Sequence, residues 1–210
     1  MRSILLAGVV TVALAGLACG CSATPALVAN PAYQMWAGFE PGSSATLEGS
    51  RITGEQIEQV RITQRLVEAD KDRVIVERTV KVLSVAATQP SARVKVIPAT
   101  QPVVTRVVEP RMIQPTEHLQ TRPGAVTKVL PSETIELKGL ALTCCVIDVE
   151  VNVTFGGPLP TSEHSHMRRW LNSAVPGGTV RISVERQSTS HYLQVAVQLV
   201  DYKVARRAQP

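Results

Sequence analysis

The sequence is poor in aromatic residues, with two Trp, three Tyr and two Phe in 210 residues. Hydrophobic residues nevertheless make up 44% of the chain, which is enough to bury a core. A core with so few rings has to be built from Val, Leu and Ile, and valine-rich cores favour β-sheet. We therefore expect a mainly β protein.

The familiar motifs of catalysis are also missing. The sequence has no Gly-x-Ser-x-Gly elbow, no His-Glu-x-x-His pair and no glycine-rich phosphate loop that leads into a helix. Because no constellation of titratable residues stands out, we predict that the protein is not an enzyme and needs no cofactor.

Clustered basic charge is lacking as well. The formal net charge is +5, and the Lys and Arg residues are interspersed with Asp and Glu. Proteins that bind nucleic acids carry a basic stripe or patch instead. We predict no nucleic-acid partner.

The N-terminus has the pattern of a secretory signal peptide, which we expect to form a helix over residues 1–20. Met1-Arg2 is followed by an apolar run and by small residues. A cysteine placed directly after such residues resembles the bacterial lipobox. Cys21, with Ala18 three positions before it, fits this pattern better than Cys19, which has Gly16 there. We predict acylation at Cys21, with Cys19 as the alternative; an ordinary cleaved signal remains a further alternative.

An acylated cysteine would hold the mature protein at a membrane. Residues 21–35 read as a flexible tether, residues 36–204 as the β-domain, and residues 205–210 as a solvated tail. The expected location is the bacterial cell envelope, at the outer membrane and facing the periplasm. The aromatic segment from Tyr33 to Phe39 is expected to pack on the sheet as a plug.

Apolar and polar residues alternate with period two through most of the domain, which predicts antiparallel hairpins. One hairpin turns at residues 68–72, and a central hairpin turns at Lys138-Gly139, where Gly139 supplies a positive φ. Before Asp148 the more apolar residues of this strand are the even-numbered ones, and from there on they are the odd-numbered ones. This indicates either a bulge or a change in the face that is covered.

Residues 84–131 form a proline-rich insertion with seven prolines. Proline cannot donate to a β-ladder, so this insertion predicts edge strands or loops along the sheet and no central strand. A partly disordered insertion is the alternative.

Two cysteines remain outside the leader, Cys144 and Cys145, adjacent in a predicted strand. Neighbours in a strand point to opposite faces, so a disulfide between them would require a strained geometry. We predict two free thiols, with Cys144 serving as a small core residue.

His164 and His166, next to Met167, are the candidate metal ligands, since alternate residues of an extended segment share a side and imidazole suits Cu(II) and Zn(II). A third ligand would have to come from Glu163, His118 or a cysteine. Two histidines do not make a site, and we predict no bound metal.

Trp170 and the turn Val175-Pro176-Gly177-Gly178 are predicted to maintain the fold, as is Gly139. Proline fixes the first central residue of a type II turn, and glycine accepts the positive φ of the second.

The segment from Glu136 to Cys144, together with Trp170 and the Val-Pro-Gly-Gly turn, resembles a family of bacterial envelope lipoproteins. Gly42 to Thr46 matches the first part of that pattern, so the resemblance covers about residues 36 to 202. It implies a fold similar to the lipoprotein carriers LolA and LolB. In that fold a curved antiparallel sheet forms an incomplete barrel whose concave face can shelter acyl chains.

Two functions are therefore expected for a membrane-anchored, non-catalytic β-domain. The first is an interaction or structural module that meets an envelope protein, and the alternative is a carrier-type protein that binds a lipid or a lipoprotein. An open apolar trough on the sheet favours the alternative, and a packed interior favours the first.

Overall fold

The computed structural model describes residues 26–87, 101–114, 124–155, 161–188 and 192–205. The protein is mainly β, as predicted. These residues form one short helix, α1 (Pro31–Trp36), and eleven strands. The strands are β1 (Val28–Ala29), β2 (Ser44–Thr53), β3 (Gln56–Ala69), β4 (Arg73–Ala87), β5 (Val103–Pro110), β6 (Met112–Ile113), β7 (Val126–Leu137), β8 (Leu140–Phe155), β9 (Thr161–Leu171), β10 (Thr179–Ser188) and β11 (Tyr192–Lys203).

Nine of these strands form one antiparallel sheet in the order β5-β4-β3-β2-β11-β10-β9-β8-β7, and β1 pairs with β6 in a small second sheet. The large sheet consists of two meanders, β2–β5 and β7–β11, which the pairing of β2 with β11 joins. Within the described residues the sheet is not closed into a barrel, and β5 and β7 are its edges.

The central hairpin has the tight turn that its sequence predicts. Lys138 and Gly139 lie between the paired residues Leu137 and Leu140, with φ values of 49° and 82°. Positive φ at both central residues is the type I′ pattern, whose twist matches that of the flanking strands.

The change of parity near Asp148 is a change in the covered face. The pairing of β8 with β9 runs without a register shift from Cys145 to Phe155, so no bulge interrupts it. Val146 is buried on one face of β8 and Val149 on the other. A bulge does occur, but it lies in β7 between Leu130 and Glu133.

The two faces of the sheet carry different residues. The helix face carries Ile147, Arg169 and Ile182, which are neighbours in register on β8, β9 and β10. Helix α1 lies on this face, where Met35 contacts Arg169. The reverse face carries residues of the other parity, including Trp170 and Arg181.

The proline-rich insertion, residues 84–131, supplies the edge strand β5 and the first part of the other edge strand, β7. Strand β5 ends at Pro110, and Pro131 lies within the bulge of β7, where no ladder donor is needed. The prediction of edge strands is confirmed for these parts. The alternative of a disordered insertion concerns residues 88–100 and 115–123, which lie outside the described residues.

The folded domain begins earlier than residue 36, and this corrects the predicted tether. Val28 pairs with Ile113, and Asn30 is 1% exposed. The Asn30 side-chain oxygen accepts a hydrogen bond from the N–H of Ala32 at 2.9 Å, and Pro31 begins the helix. An Asn cap followed by proline is a strong start signal for a helix, so residues 28–35 fold onto the domain.

The core consists mostly of Val, Leu and Ile, and Trp36 and Trp170 are its buried rings among the described residues. The leader, including Cys19 and Cys21, and the tail at 206–210 lie outside the described residues. Within the described part of the chain, no helix has the length and apolar character required to cross a membrane.

Candidate functional site

A cavity of about 850 Å³ lies between α1 and strands β7–β9. Its volume is within the range of small-molecule sites, roughly 300–1,000 Å³. Met35 and Phe39 line it from the side of α1, and Ile147 and Leu171 line it from the sheet. Arg169 lines it as well, and among the described lining residues it is the one cation and none is acidic.

The cavity exists because α1 covers only part of the helix face. Trp36 is 4% exposed and packs with Leu66, Val74 and Val76 of β3 and β4. This contact holds α1 towards that half of the sheet and leaves the half over β8 and β9 open. The segment from Tyr33 to Phe39 packs on the sheet as expected, but its other side also forms a wall of the cavity.

Arg169 is buried without a counterion. It is 6% exposed, and none of the ion pairs among the described residues involves it. Its Nη2 donates to Oγ1 of Thr179 at 2.8 Å and lies 3.1 Å from Sδ of Met35, while its Nε has no hydrogen-bond partner. Burial lowers the pKa of Arg169 to about 10, so the guanidinium is still charged at neutral pH. A buried charge without a partner is costly.

A second cavity of about 280 Å³ lies beneath Trp36, and Arg169 and Met35 line both cavities. Arg78 and Glu109 also border this smaller space. Burial lowers the pKa of Arg78. The Glu109 carboxylate accepts a hydrogen bond from Nδ2 of Asn30 at 3.0 Å. The floor beneath α1 therefore carries two arginines.

The turn that follows β9 closes on α1. The N–H of Gly178 donates to the carbonyl of Val175 at 2.8 Å, and Gly177 has a φ of 75°. With Pro176 at the first central position, this is the type II turn that the sequence predicts. Gly177 lies against the ring of Trp36, and Gly178 lies against Met35. The turn thus fixes the height of the helix above the sheet.

Trp170 lies on the reverse face and is 7% exposed. Its Nε1 donates to Glu133 at 2.8 Å, and the Arg181 guanidinium lies 5.2 Å from the ring centroid. These contacts hold β7, β9 and β10 together, which fits the structural role expected of Trp170.

His164 and His166 also lie on the reverse face, on the same side, but they have different partners. His164 Nδ1 lies 2.8 Å from Oδ1 of Asn152, and His166 Nε2 lies 2.9 Å from Oδ1 of Asp148. Met167 is buried on the helix face, away from both. His118 is outside the described residues.

His166 does lie near two acids, Asp148 and Glu150, with one ligand atom from each within 4.8 Å of the others. The Arg168 Nε, however, donates to Oδ1 of Asp148 at 2.8 Å and places a cation where a metal would sit. Burial raises the pKa of Asp148, but hydrogen bonds from Arg168 and His166 outweigh it, so the pKa lies below its usual value. We interpret the group as an ion-pair network.

Cys144 and Cys145 are free thiols on opposite faces, as predicted. Cys144 is fully buried, its thiol donates to the carbonyl of Leu142 at 3.4 Å, and burial raises its pKa. Cys145 is exposed and lines the larger cavity.

Sequence reasoning did not single out Arg169 or Cys145 as lining a site. One signal for Arg169 was present: it alternates with Met167 and Leu171, and so stands between two apolar residues on the same face of β9.

Comparisons of this chain with protein-family models, with curated proteins and with solved structures found no match.

Proposed function

We propose that the protein is a lipid-anchored lipoprotein of the bacterial cell envelope whose β-domain binds a lipid-like ligand and performs no chemistry. The observation that carries this proposal is the cavity of about 850 Å³ between α1 and β7–β9, with apolar walls and the buried Arg169. The lining combines apolar side chains with neutral polar ones and a single cation, which suits an amphiphile. The described lining holds no histidine, lysine or acidic residue, so the Cys145 thiol and the Ser173 hydroxyl have no general base beside them there.

The predicted anchor would keep this cavity close to a source of lipid. Val28 is seven positions after Cys21, and a chain spans at most about 3.5 Å per residue. The start of the folded domain therefore stays within about 25 Å of an acylated Cys21. Because α1 begins at Pro31 and forms one wall of the cavity, a ligand would have a short path from the membrane.

An open antiparallel sheet with a covered apolar face is what a fold similar to LolA and LolB requires. On this proposal the helix face is the ligand face, and α1 is a partial lid. The ligand is then a lipid or the acyl part of a lipoprotein, and the domain acts as a carrier or holding site at the outer membrane.

A structural or interaction module is the second candidate, and the packing of Trp36 favours it. Trp36 closes the half of the helix face over β3 and β4 with buried apolar contacts. In this case the remaining cavity stays filled with water, and the domain meets an envelope protein through another surface.

Native mass spectrometry of the full chain, extracted from its own membranes in a mild detergent, tests the proposal. We expect a bound lipid or acylated peptide in addition to the covalent anchor. Cys145→Trp fills the cavity and should remove this extra mass. Ala196→Trp, at an exposed position on the reverse face, is the matched control and should retain it. A wild-type protein with no bound lipid contradicts the lipid-binding proposal, and a cross-linked protein partner would then favour the interaction module.

A further inference from the structure

The lining of the larger cavity contains a positive charge and no negative charge among the described residues. Arg169 lies in its wall, and no acidic residue is present in the described lining. The polar side chains that share this lining, Thr127, Thr143 and Asn172 among them, are neutral. The charge of Arg169 therefore has no acidic partner among the described lining residues of the larger cavity.

The hydrogen bonds of Arg169 are incomplete as well. The Nη2 atom of Arg169 donates to the hydroxyl of Thr179, and it also contacts the thioether of Met35. The Nε atom is buried and has no hydrogen-bond partner. A thioether sulfur is a weak acceptor. A guanidinium has five donors in a planar fork that fits carboxylate and phosphate oxygens in pairs.

The surroundings of Arg169 reinforce this preference. Arg78, an exposed residue, borders the adjoining cavity beneath Trp36, so two cations lie under α1. That lining also contains one acid, Glu109, which accepts a hydrogen bond from the neutral Asn30 amide, so the three charged groups around this space carry a net formal charge of +1. An anion that enters from the larger cavity would meet a guanidinium that none of the ion pairs among the described residues neutralises, and it would form a charge-assisted pair with it.

On this basis, and resting on the proposed function above, we infer that the ligand is a single-chain amphiphile with an anionic head group. The carboxylate or phosphate pairs with Arg169, and the acyl chain lies against Met35, Phe39, Ile147 and Leu171. Arg169 is then the residue that sets the specificity of the cavity for acidic over neutral lipids.

Three ligands with the same chain length and different heads test this inference. The full chain in non-ionic detergent is titrated with palmitate, hexadecyl phosphate or hexadecanol, and the bound fraction is measured by native mass spectrometry. We expect the wild-type protein to bind at least one of the two anions about tenfold or more tightly than hexadecanol, a factor typical of a charge-assisted pair. The stronger of the two anions identifies whether the head is a carboxylate or a phosphate.

Variants separate the role of Arg169 from a general effect of charge. Arg169→Gln should lower the affinity for the anions to that for hexadecanol and leave hexadecanol binding unchanged. Arg168→Gln removes the same charge one residue away on the reverse face, where the Gln amide can still donate to Asp148; it should bind the three ligands with the wild-type affinities. Arg169→Lys keeps the positive charge but not the paired donors of the guanidinium, so it should still bind the anions more tightly than hexadecanol. This variant serves as the test if Arg169→Gln does not fold.

The possible failures are distinct. If the wild type binds hexadecanol as tightly as both anions, or if Arg169→Gln keeps the anion preference, the inference about the head group is wrong and the cavity is a neutral lipid site. If none of the three ligands binds, the proposed function itself fails.

Discussion

Trp36 and Gly177 are in direct contact above the helix face of the sheet. A Cβ built on Gly177 would lie 2.7 Å from Cζ2 of the Trp36 ring, a distance that real side chains do not reach. This contact links the aromatic segment near the N-terminus to the turn between β9 and β10. The width of the cavity under α1 therefore depends on a residue with no side chain.

Gly177→Ala should lower the free energy of unfolding by about 2–4 kcal/mol, because it combines a positive φ with a clash against Trp36. Gly139→Ala is the matched control: its φ is also positive, at 82°, but no atom lies within 4 Å of the added Cβ. We expect about 1 kcal/mol for the control. Urea denaturation measures both, and equal losses would mean that the Trp36 contact has no energetic role.

Arg169→Met should stabilise the ligand-free domain by about 1–3 kcal/mol, since it keeps the apolar stem and removes a buried charge without a counterion. Thr179 keeps an acceptor for its hydroxyl, the carbonyl of Gly177 at 3.3 Å. Arg168→Met should destabilise instead, because Asp148 would lose its Arg168 hydrogen bond in a buried position. Thermal unfolding of the delipidated full chain measures both, and a loss of stability in Arg169→Met would contradict the account.

The lowered pKa of Arg169 determines how this residue makes the free energy of unfolding depend on pH. A base whose pKa falls to about 10 on folding is less stable in its charged form in the folded state than in the unfolded state. The free-energy cost of burying the charge is therefore fully present below pH 10, and it is relieved only above pH 10. The gain from Arg169→Met should therefore be constant between about pH 6 and pH 9.

Asp148→Asn should remove a part of the acid sensitivity of the protein. The pKa of Asp148 is lowered by folding, so its contribution to stability is present above the unfolded pKa of about 3.9 and is lost as the pH falls through the folded pKa. We expect the variant to be about 1–3 kcal/mol less stable at pH 7 and to converge with the wild type in acid. Asp201→Asn, which breaks an exposed pair with Lys138, is the control. A difference from the wild type at pH 7 that persists unchanged in acid would contradict the role of the charge.

Metabolic labelling with palmitate tests the anchor. Cys21→Ser should abolish labelling and shift the protein out of the membrane fraction, whereas Cys19→Ser should leave both unchanged. The reverse pattern would move the anchor to Cys19. A mature protein that begins elsewhere and carries no lipid would contradict the lipoprotein proposal.

The turns could be predicted from the residue types at their central positions. Lys138-Gly139 and Pro176-Gly177 carry the residues that their turn types demand, and the covered face of β8 could be read from the parity around Asp148. These features need no knowledge of distant residues.

The site depends on contacts between distant parts of the chain, and those were not predictable. The pairing of β2 with β11 brings the two ends of the domain together, and period-two alternation does not specify which strands pair. Helix α1 has six residues, too few to show a helical period, and its place is set by Trp36 and Gly177. The setting of Arg169 depends on its contact with Met35 of α1, which lies 134 residues earlier in the sequence.

Alkylation of the two free thiols locates the ligand most directly. In the folded protein, iodoacetamide should react at Cys145, which lines the cavity, and not at Cys144, which is fully buried on the other face with a raised pKa. A saturating concentration of palmitate should slow the Cys145 reaction about tenfold or more, as expected when a bound ligand covers the thiol for most of the time. In Arg169→Gln the same concentration should give much weaker protection. An unchanged rate at Cys145 while palmitate is bound would contradict the claim that the cavity between α1 and β7–β9 is the ligand site.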